Sequence, residues 1–282
     1  MSLTVFVAVI GAAMLHASWN ALLKSGGNKM MSMAAIVLGH VPLALIALIF
    51  VPMPSTQSLS YLVVGILLHA GYQFFLLKSY QTGDLTQVYP IARGSAPLMV
   101  TAFSVVILGV KLEPLQLFAI LIIGIGIISL SLVRNSDGKR NSIATRLALI
   151  TGLFIASYSL VDGLGARIAG TSLGFYSFLA LGNGIVMVVY LLLKAPQTFG
   201  NIAREGRGIF VLGGGASFIA YGLVTWGFTQ APIALVTALR ETSIVFALLI
   251  GVFFLKERLN LIKVCSTFFT LLGVVLLRYV KD

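Results

Sequence analysis

Ten stretches of roughly twenty mostly apolar residues follow one another along this chain, and that succession restricts the fold more than any other feature. The stretches are 3–23, 31–51, 60–81, 86–109, 114–133, 146–168, 173–193, 208–229, 232–255 and 260–279. A helix rising about 1.5 Å per residue needs about 20 residues to cross a hydrocarbon core about 30 Å thick. Lipid offers the backbone no hydrogen-bond partner, so each stretch must satisfy its own amides and carbonyls as an α-helix. Composition agrees: 59% of the 282 residues are hydrophobic and 10% are charged, with a mean hydropathy of +1.03, against about 25% charge in soluble domains. The expected fold class is an all-α membrane protein of ten transmembrane helices. The connecting segments are short, and the longest, 134–145 and 194–207, are also the most polar. No soluble domain is attached, so any function sits inside the bundle.

Several classes drop out on the same grounds. The residues before the first stretch lack a basic region, and its apolar run continues past Trp19 without a small-residue cleavage pattern, so it reads as the first span and not as a cleaved leader. The single cysteine, Cys265, lies in an apolar span and excludes an internal disulfide. No His/Cys group has metal-ligand spacing, and no cofactor motif is present: Gly213, Gly214 and Gly215 lie inside a span and lack the Gly-Lys-Ser/Thr ending of a phosphate loop. The net charge of +11 comes from basic residues gathered at helix ends, which suits anionic lipid headgroups and not nucleic acid. The expected partners are membrane lipid and a small molecule, with the oligomeric state open.

The two halves of the chain resemble each other. A shift of 147 carries Thr82 onto Thr229, Arg93 onto Arg240, Lys111 onto Arg258, Leu112 onto Leu259 and Gly126 onto Gly273 without a gap. A shift of 139 sets Ala17-Ser18-Trp19 against Ala156-Ser157-Tyr158 and Gly26 against Gly165. Five spans per half is an odd number, so the second half enters the membrane from the opposite side, as an inverted repeat. The halves are expected at 1–134 and 143–282.

The segments His16-Ala-Ser-Trp-Asn20, Tyr89-Pro-Ile-Ala-Arg93-Gly-Ser-Ala-Pro97, Leu239-Arg-Glu-Thr-Ser243 and Leu255-Lys-Glu-Arg-Leu259 resemble the EamA-type branch of the drug/metabolite transporter (DMT) superfamily, over essentially the whole chain. The resemblance implies ten helices in two inverted five-helix halves, with spans one, three, four, six, eight and nine lining a central cavity. It implies transport of a small metabolite across the cell (inner) membrane and no enzymatic activity, but it leaves the cargo open. Drug or xenobiotic efflux and uptake of organic phosphate or phosphonate are alternatives within transport, and a non-transporting structural membrane protein is the alternative outside it. One departure is visible: Glu257 matches the family pattern, whereas its repeat mate is Val110.

Arg93 and Arg240 are the sharpest candidates. Each falls seven or eight residues into its span, roughly 10–12 Å along the axis, and a charge near the bilayer centre costs at least about 2.5–3.5 kcal/mol. Such guanidiniums either staple the bundle internally or bind an anionic group of a cargo, carboxylate or phosphoryl-like, through bidentate hydrogen bonds. Pro90 and Pro97 flank Arg93 and are expected to bend or break span four. Thr237 and Ser243 lie three residues on either side of Arg240 and are expected on its helix face. Tyr89, Trp19, Asn20, Tyr158 and Trp226 fall on spans that the resemblance assigns to the cavity, with Tyr72, Gln73 and Tyr221 as weaker lining candidates. Glu241, Asp162 and His16 are candidates for carrying a proton. Glu241 adjoins Arg240, but neighbours on a helix point about 100° apart and need not pair. Catalytic clusters are absent from the pattern, which speaks against an intramembrane enzyme. Most Lys and Arg residues lie in loops after odd-numbered spans, against Lys111, Arg167, Arg278 and Lys281 on the other side. The positive-inside rule then puts both termini outside, whereas the resemblance implies cytoplasmic termini.

Overall fold

The structure, a computed structural model, describes residues 1–25, 27–82, 85–129, 142–253 and 261–279, and all regular structure in them is helical. Five helices precede the 130–141 segment: α1 (Leu3–Ser25), α2 (Lys29–Phe50), α3 (Leu59–Thr82), α4 (Leu85–Val106) and α5 (Pro114–Ser129). Seven follow it: α6 (Ser142–Ile168), α7 (Ser172–Lys194), the short α8 (Gln197–Arg204), α9 (Gly214–Gln230), α10 (Ile233–Arg240), α11 (Ser243–Phe253) and α12 (Leu261–Tyr279). Among the described residues, six segments are long and apolar enough to cross a membrane: Leu3–Leu23, Lys29–Phe50, Thr56–Ser79, Ser142–Ile168, Ser172–Lys194 and Ile209–Gln230.

Large apolar side chains cover the outside, and charged groups lie buried inside an otherwise apolar core. Phe50, Ile49, Leu193 and Phe253 are each more than 70% exposed, while Arg93, Asp162, Arg240 and Glu241 are fully or almost fully buried. That placement is what lipid as solvent selects, because apolar surface has nothing to gain by leaving hydrocarbon and charge has everything to gain by leaving it.

Helix ends and crossings follow from local chemistry. The Asn28 side chain accepts from the Met31 amide at 3.0 Å and starts α2, and Thr171 does the same for α7 through Gly174. Gly170, at φ +73°, turns the chain out of α6 in a conformation that favours glycine. A π-helical turn, Ile209–Gly213, leads into α9 and lies against α2. A Cβ on Gly39 would fall on the Phe210 carbonyl oxygen and lie 3.0 Å from Gly214 Cα, so the two backbones cross with no side chain between them. Elsewhere α6 packs on α3 and α4, α1 on α9 and α11, α2 on α7, and α5 on α12.

One local expectation differs from what is seen. The helical backbone of α4 runs from Leu85 to Val106 through Pro90 and Pro97, so the expected break does not occur there. A proline removes one amide donor, and that loss does not end a helix held by its neighbours. The break lies instead in span nine, where α10 stops at Arg240 and α11 starts at Ser243. Across it the Glu241 amide donates to Ala238 O and the Thr242 amide to Leu239 O, tightening the turn to i→i+3 bonds that keep the backbone satisfied.

Candidate functional site

The α10–α11 break places three polar groups where α1 and α4 meet it. From α4, Arg93 reaches the break with its whole guanidinium: Nε donates to Glu241 Oε2 at 2.9 Å and an Nη donates to Ser243 Oγ at 3.1 Å. A second Nη lies 3.0 Å from His16 Nε2 on α1. Arg93 is 3% exposed and Glu241 is wholly buried. Arg93 therefore ties three helices together around one buried carboxylate.

Arg240 is placed differently. It is 1% exposed, and its Nε stands 3.6 Å from Glu241 Oε1, beyond hydrogen-bond distance. Among the described residues none of its three guanidinium nitrogens has a hydrogen-bond partner, and neither does Glu241 Oε1 nor the hydroxyl of Thr237, one turn earlier on α10. The two arginines thus share one carboxylate, but only Arg93 uses it fully. The helix ends between Glu241 and Arg240, so the 100° rule for helical neighbours does not govern their side chains, which stand 3.6 Å apart without a hydrogen bond.

His16 is boxed in. Trp19 Nε1 donates to its Nδ1 at 3.2 Å with the rings edge-on, while its Nε2 faces the Arg93 guanidinium. Indole N–H and guanidinium are donors only, and a neutral imidazole accepts at one nitrogen, so only one of the two contacts is a hydrogen bond. Asn20 turns its amide back onto the His16 carbonyl at 2.7 Å. The backbone of Tyr89 belongs to α4, but the side chains of Tyr89 and Pro90 lie outside the described residues.

A second buried polar cluster adjoins the first. Asp162 of α6, 0% exposed, receives the Tyr221 hydroxyl at 2.6 Å, and His69 Nε2 at 2.8 Å, both on Oδ2. Tyr158 stacks on His69 with ring centroids 4.1 Å apart and stands edge-on to Tyr72 and Tyr221. It also lies in the field of Arg93, Arg240, Glu241 and Asp162, joining the two clusters. Trp226 is half-buried against the apolar core, and no ring contact or hydrogen bond links its side chain to either cluster among the described residues.

Sequence reasoning missed His69 and gave Tyr221 little weight. A signal existed: all three histidines, His16, His40 and His69, fall inside apolar spans, and each contacts an aromatic ring. Neither His69 nor Asp162 names its partner by spacing, however, because 93 residues separate them.

A cleft of about 320 Å³ opens at the bundle end where α4 and α9 finish, lined by Ser104, Leu108, Val110, Arg167 and residues 229–233. There Arg167 donates from Nε to Phe228 O at 2.8 Å and from an Nη to Ala231 O at 2.9 Å, holding the α9–α10 corner. Ile233, in its wall, lies seven residues before Arg240, roughly 10 Å along α10.

Comparison with known proteins agrees with the fold. A solved crystal structure is similar over 98% of each chain, with a TM-score of 0.77 at 16% identity, a likeness of fold. The "Putative ribose uptake protein RbsU" of Latilactobacillus sakei subsp. sakei (strain 23K) is 25% identical over 252 residues, covering 83% of each chain. The model of the EamA-like transporter family matches twice, over residues 3–132 and 143–279. This multi-pass membrane protein belongs to the EamA-like transporter family, within the DMT superfamily.

Proposed function

We propose that this chain is a secondary carrier of a small anionic or zwitterionic metabolite, working by alternating access in the cell (inner) membrane. Its two five-helix units, 1–134 and 143–282, would be inverted copies that rock about the Arg93–Arg240 centre, giving ten transmembrane helices with α10 and α11 counted as one. The packing supports this reading. Exchanging α1 with α6, α2 with α7, α3 with α9, α4 with α10–α11 and α5 with α12 turns the α3–α6 contact into α9–α1. It turns α4–α6 into α11–α1 and leaves α2–α7 and α5–α12 as themselves. The two successive family matches support the same division.

One observation carries the cargo class: the Arg240 guanidinium is 1% exposed and has no acceptor within hydrogen-bond reach among the described residues. Two guanidiniums share one carboxylate, which leaves the Arg240 donors unmet, and buried donors without hydrogen-bond partners cost free energy. A carboxylate bound between Arg240 and Thr237 would complete both side chains' hydrogen bonds. Arg240, Thr237 and Tyr158 are assigned to the cargo, while Arg93, Ser243, Glu241 and His16 hold the frame. Trp19 and Asn20 support His16, and Tyr89 and Trp226 are placed at the approaches.

Purified protein screened by thermal shift against small carboxylates, organic phosphates and phosphonates, lipophilic drugs and neutral sugars tests this. Carboxylates should stabilise the native protein and Arg240→Ala should abolish the shift. Ribose, the cargo in the relative's name, is the contrasting arm. A shift with ribose alone, unchanged in Arg240→Ala, overturns the anion reading in favour of a sugar carrier. A shift with no compound in the panel leaves a structural membrane protein.

A further inference from the structure

We infer that Asp162, with His69 and Tyr221, forms a proton-binding site, and that its proton enters together with the anion, making transport an electroneutral cotransport of one proton with one negative charge. The inference rests on the anionic cargo proposed above. It begins with the two oxygens of one carboxylate. Tyr221 and His69 both donate to Oδ2, while Oδ1 is buried with no hydrogen-bond partner among the described residues. On that side stands Gly65, where a Cβ would come within 2.7 Å of Oδ1. The carboxylate oxygen left bare thus packs closely against Gly65, where any larger residue would collide with it.

A proton taken from water onto Oδ1 makes one O–H bond, converts carboxylate to carboxylic acid and leaves both bonds at Oδ2 in place. Its release reverses the step with nothing else consumed. The other two candidates are poorer proton carriers. Glu241 stands between two guanidiniums, and neutralising it would strip both of their shared counter-charge. His16 faces an obligate donor at each ring nitrogen, so an added proton would set N–H against N–H.

Among the described residues, Asp162 is surrounded by an imidazole and three phenols. His69 faces it from α3, Tyr221 from α9, Tyr176 from α7, and Tyr158 lies on its own helix. His40 of α2 lies beyond Tyr176, and Arg93 of α4, Arg240 of α10 and Glu241 at the α10–α11 break lie beyond Tyr158. Charge over this whole centre decides the coupling. With neutral histidines, Arg93 and Arg240 balance Glu241 and Asp162, so the empty centre sums to zero. A monoanion alone brings it to −1, and a monoanion with a proton on Asp162 returns it to zero. Carrying uncompensated charge through a low-dielectric bundle costs several kcal/mol, so the two neutral states are the ones that cross.

Infrared difference spectroscopy of the reconstituted protein, taken between mildly alkaline and mildly acidic buffer, reads the proton directly and needs no cargo. A carboxylic-acid C=O band should grow on acidification, shift in D2O and vanish in Asp162→Asn, whose amide oxygen can still accept from Tyr221 and His69. Tyr221→Phe should keep the band at a higher frequency, because the carbonyl loses a donor. The absence of such a band in the unmodified protein, or its survival in Asp162→Asn, where Glu241 would be its source, overturns the proton site. Titration with a carboxylate that stabilises the protein then reads the coupling. Binding should tighten by up to about tenfold per unit fall in pH, the limit for one linked proton. In Asp162→Asn it should become independent of pH at the tight, acid-side value. An unchanged pH dependence in that variant overturns the coupling. If no carboxylate binds, the cargo reading and the coupling built on it both fail, while the infrared result still decides the proton site.

Discussion

The two arginines match in the sequence repeat but not in what they do for the fold, and substituting each by methionine should separate them. Arg93→Met removes the group that donates to Glu241 and Ser243 and lies against His16. It leaves the wholly buried Glu241 with only Arg240, 3.6 Å away. Breaking a buried pair in this way costs about 3–5 kcal/mol. At roughly 2–4 °C per kcal/mol for chains of this size, the midpoint of thermal unfolding should fall by about 6–20 °C. Arg240→Met removes a guanidinium that makes no hydrogen bond to the described residues and leaves the Arg93–Glu241 pair intact. Its cost should stay within about 1 kcal/mol and have either sign, since a buried cation is exchanged for an apolar chain of similar length. The midpoint should then move by less than about 4 °C. The assay is thermal unfolding of cargo-free protein in one detergent. An Arg240→Met protein as unstable as Arg93→Met would mean that Arg240 is bonded within the protein, and the cargo reading would lose its support.

Two further outcomes follow from close contacts. Gly39→Val should lower the unfolding midpoint by the equivalent of about 1–3 kcal/mol, because the new side chain meets the Phe210 carbonyl and Gly214 backbone and cannot displace them. Gly11→Ala, with nothing within 4 Å of its Cβ, is the matched control and should leave the midpoint unchanged. Arg167→Ala should free the carbonyls of Phe228 and Ala231. The α9–α10 corner should then exchange its amide hydrogens faster, with the fold's midpoint little changed, as read by hydrogen-exchange mass spectrometry. Unchanged protection of residues 229–236 would show that the corner holds without it.

The bundle was legible because hydropathy over a twenty-residue window answers directly to bilayer thickness, and the solvent imposes the helix on each apolar run. The arginine pair was legible because a charge inside an oily span is rare enough to stand out by itself. Local geometry was harder to read. Leu239-Arg-Glu-Thr-Ser243 contains no glycine or proline, so nothing in it announces the break that brings Glu241 beside both guanidiniums. Pro90 and Pro97 announce a break that α4 does not make. Whether a helix stops is decided by what its backbone and side chains can bond across the bundle, and those partners lie far away in sequence. The Asp162–His69 pair was hidden for the same reason, since a carboxylate at one depth and an imidazole at the same depth meet only after α3 packs on α6.

The break and the orphaned guanidinium belong together. Arg240 is the last helical residue of α10, where the negative end of the helix dipole favours a cation, and this end lies inside the protein and not at its surface. Arg93 sits within the continuous α4 and is fixed by bonds to the far side of that break. One half of the molecule thus supplies a rigid arm and the other a tightened turn of i→i+3 bonds, a geometry easier to unwind than an α-helix. If the halves move against each other, the Arg93 bonds to Glu241 and Ser243 oblige the turn to follow α4. Arg240, with no bond of its own to the described residues, is then the cation left free to follow a cargo.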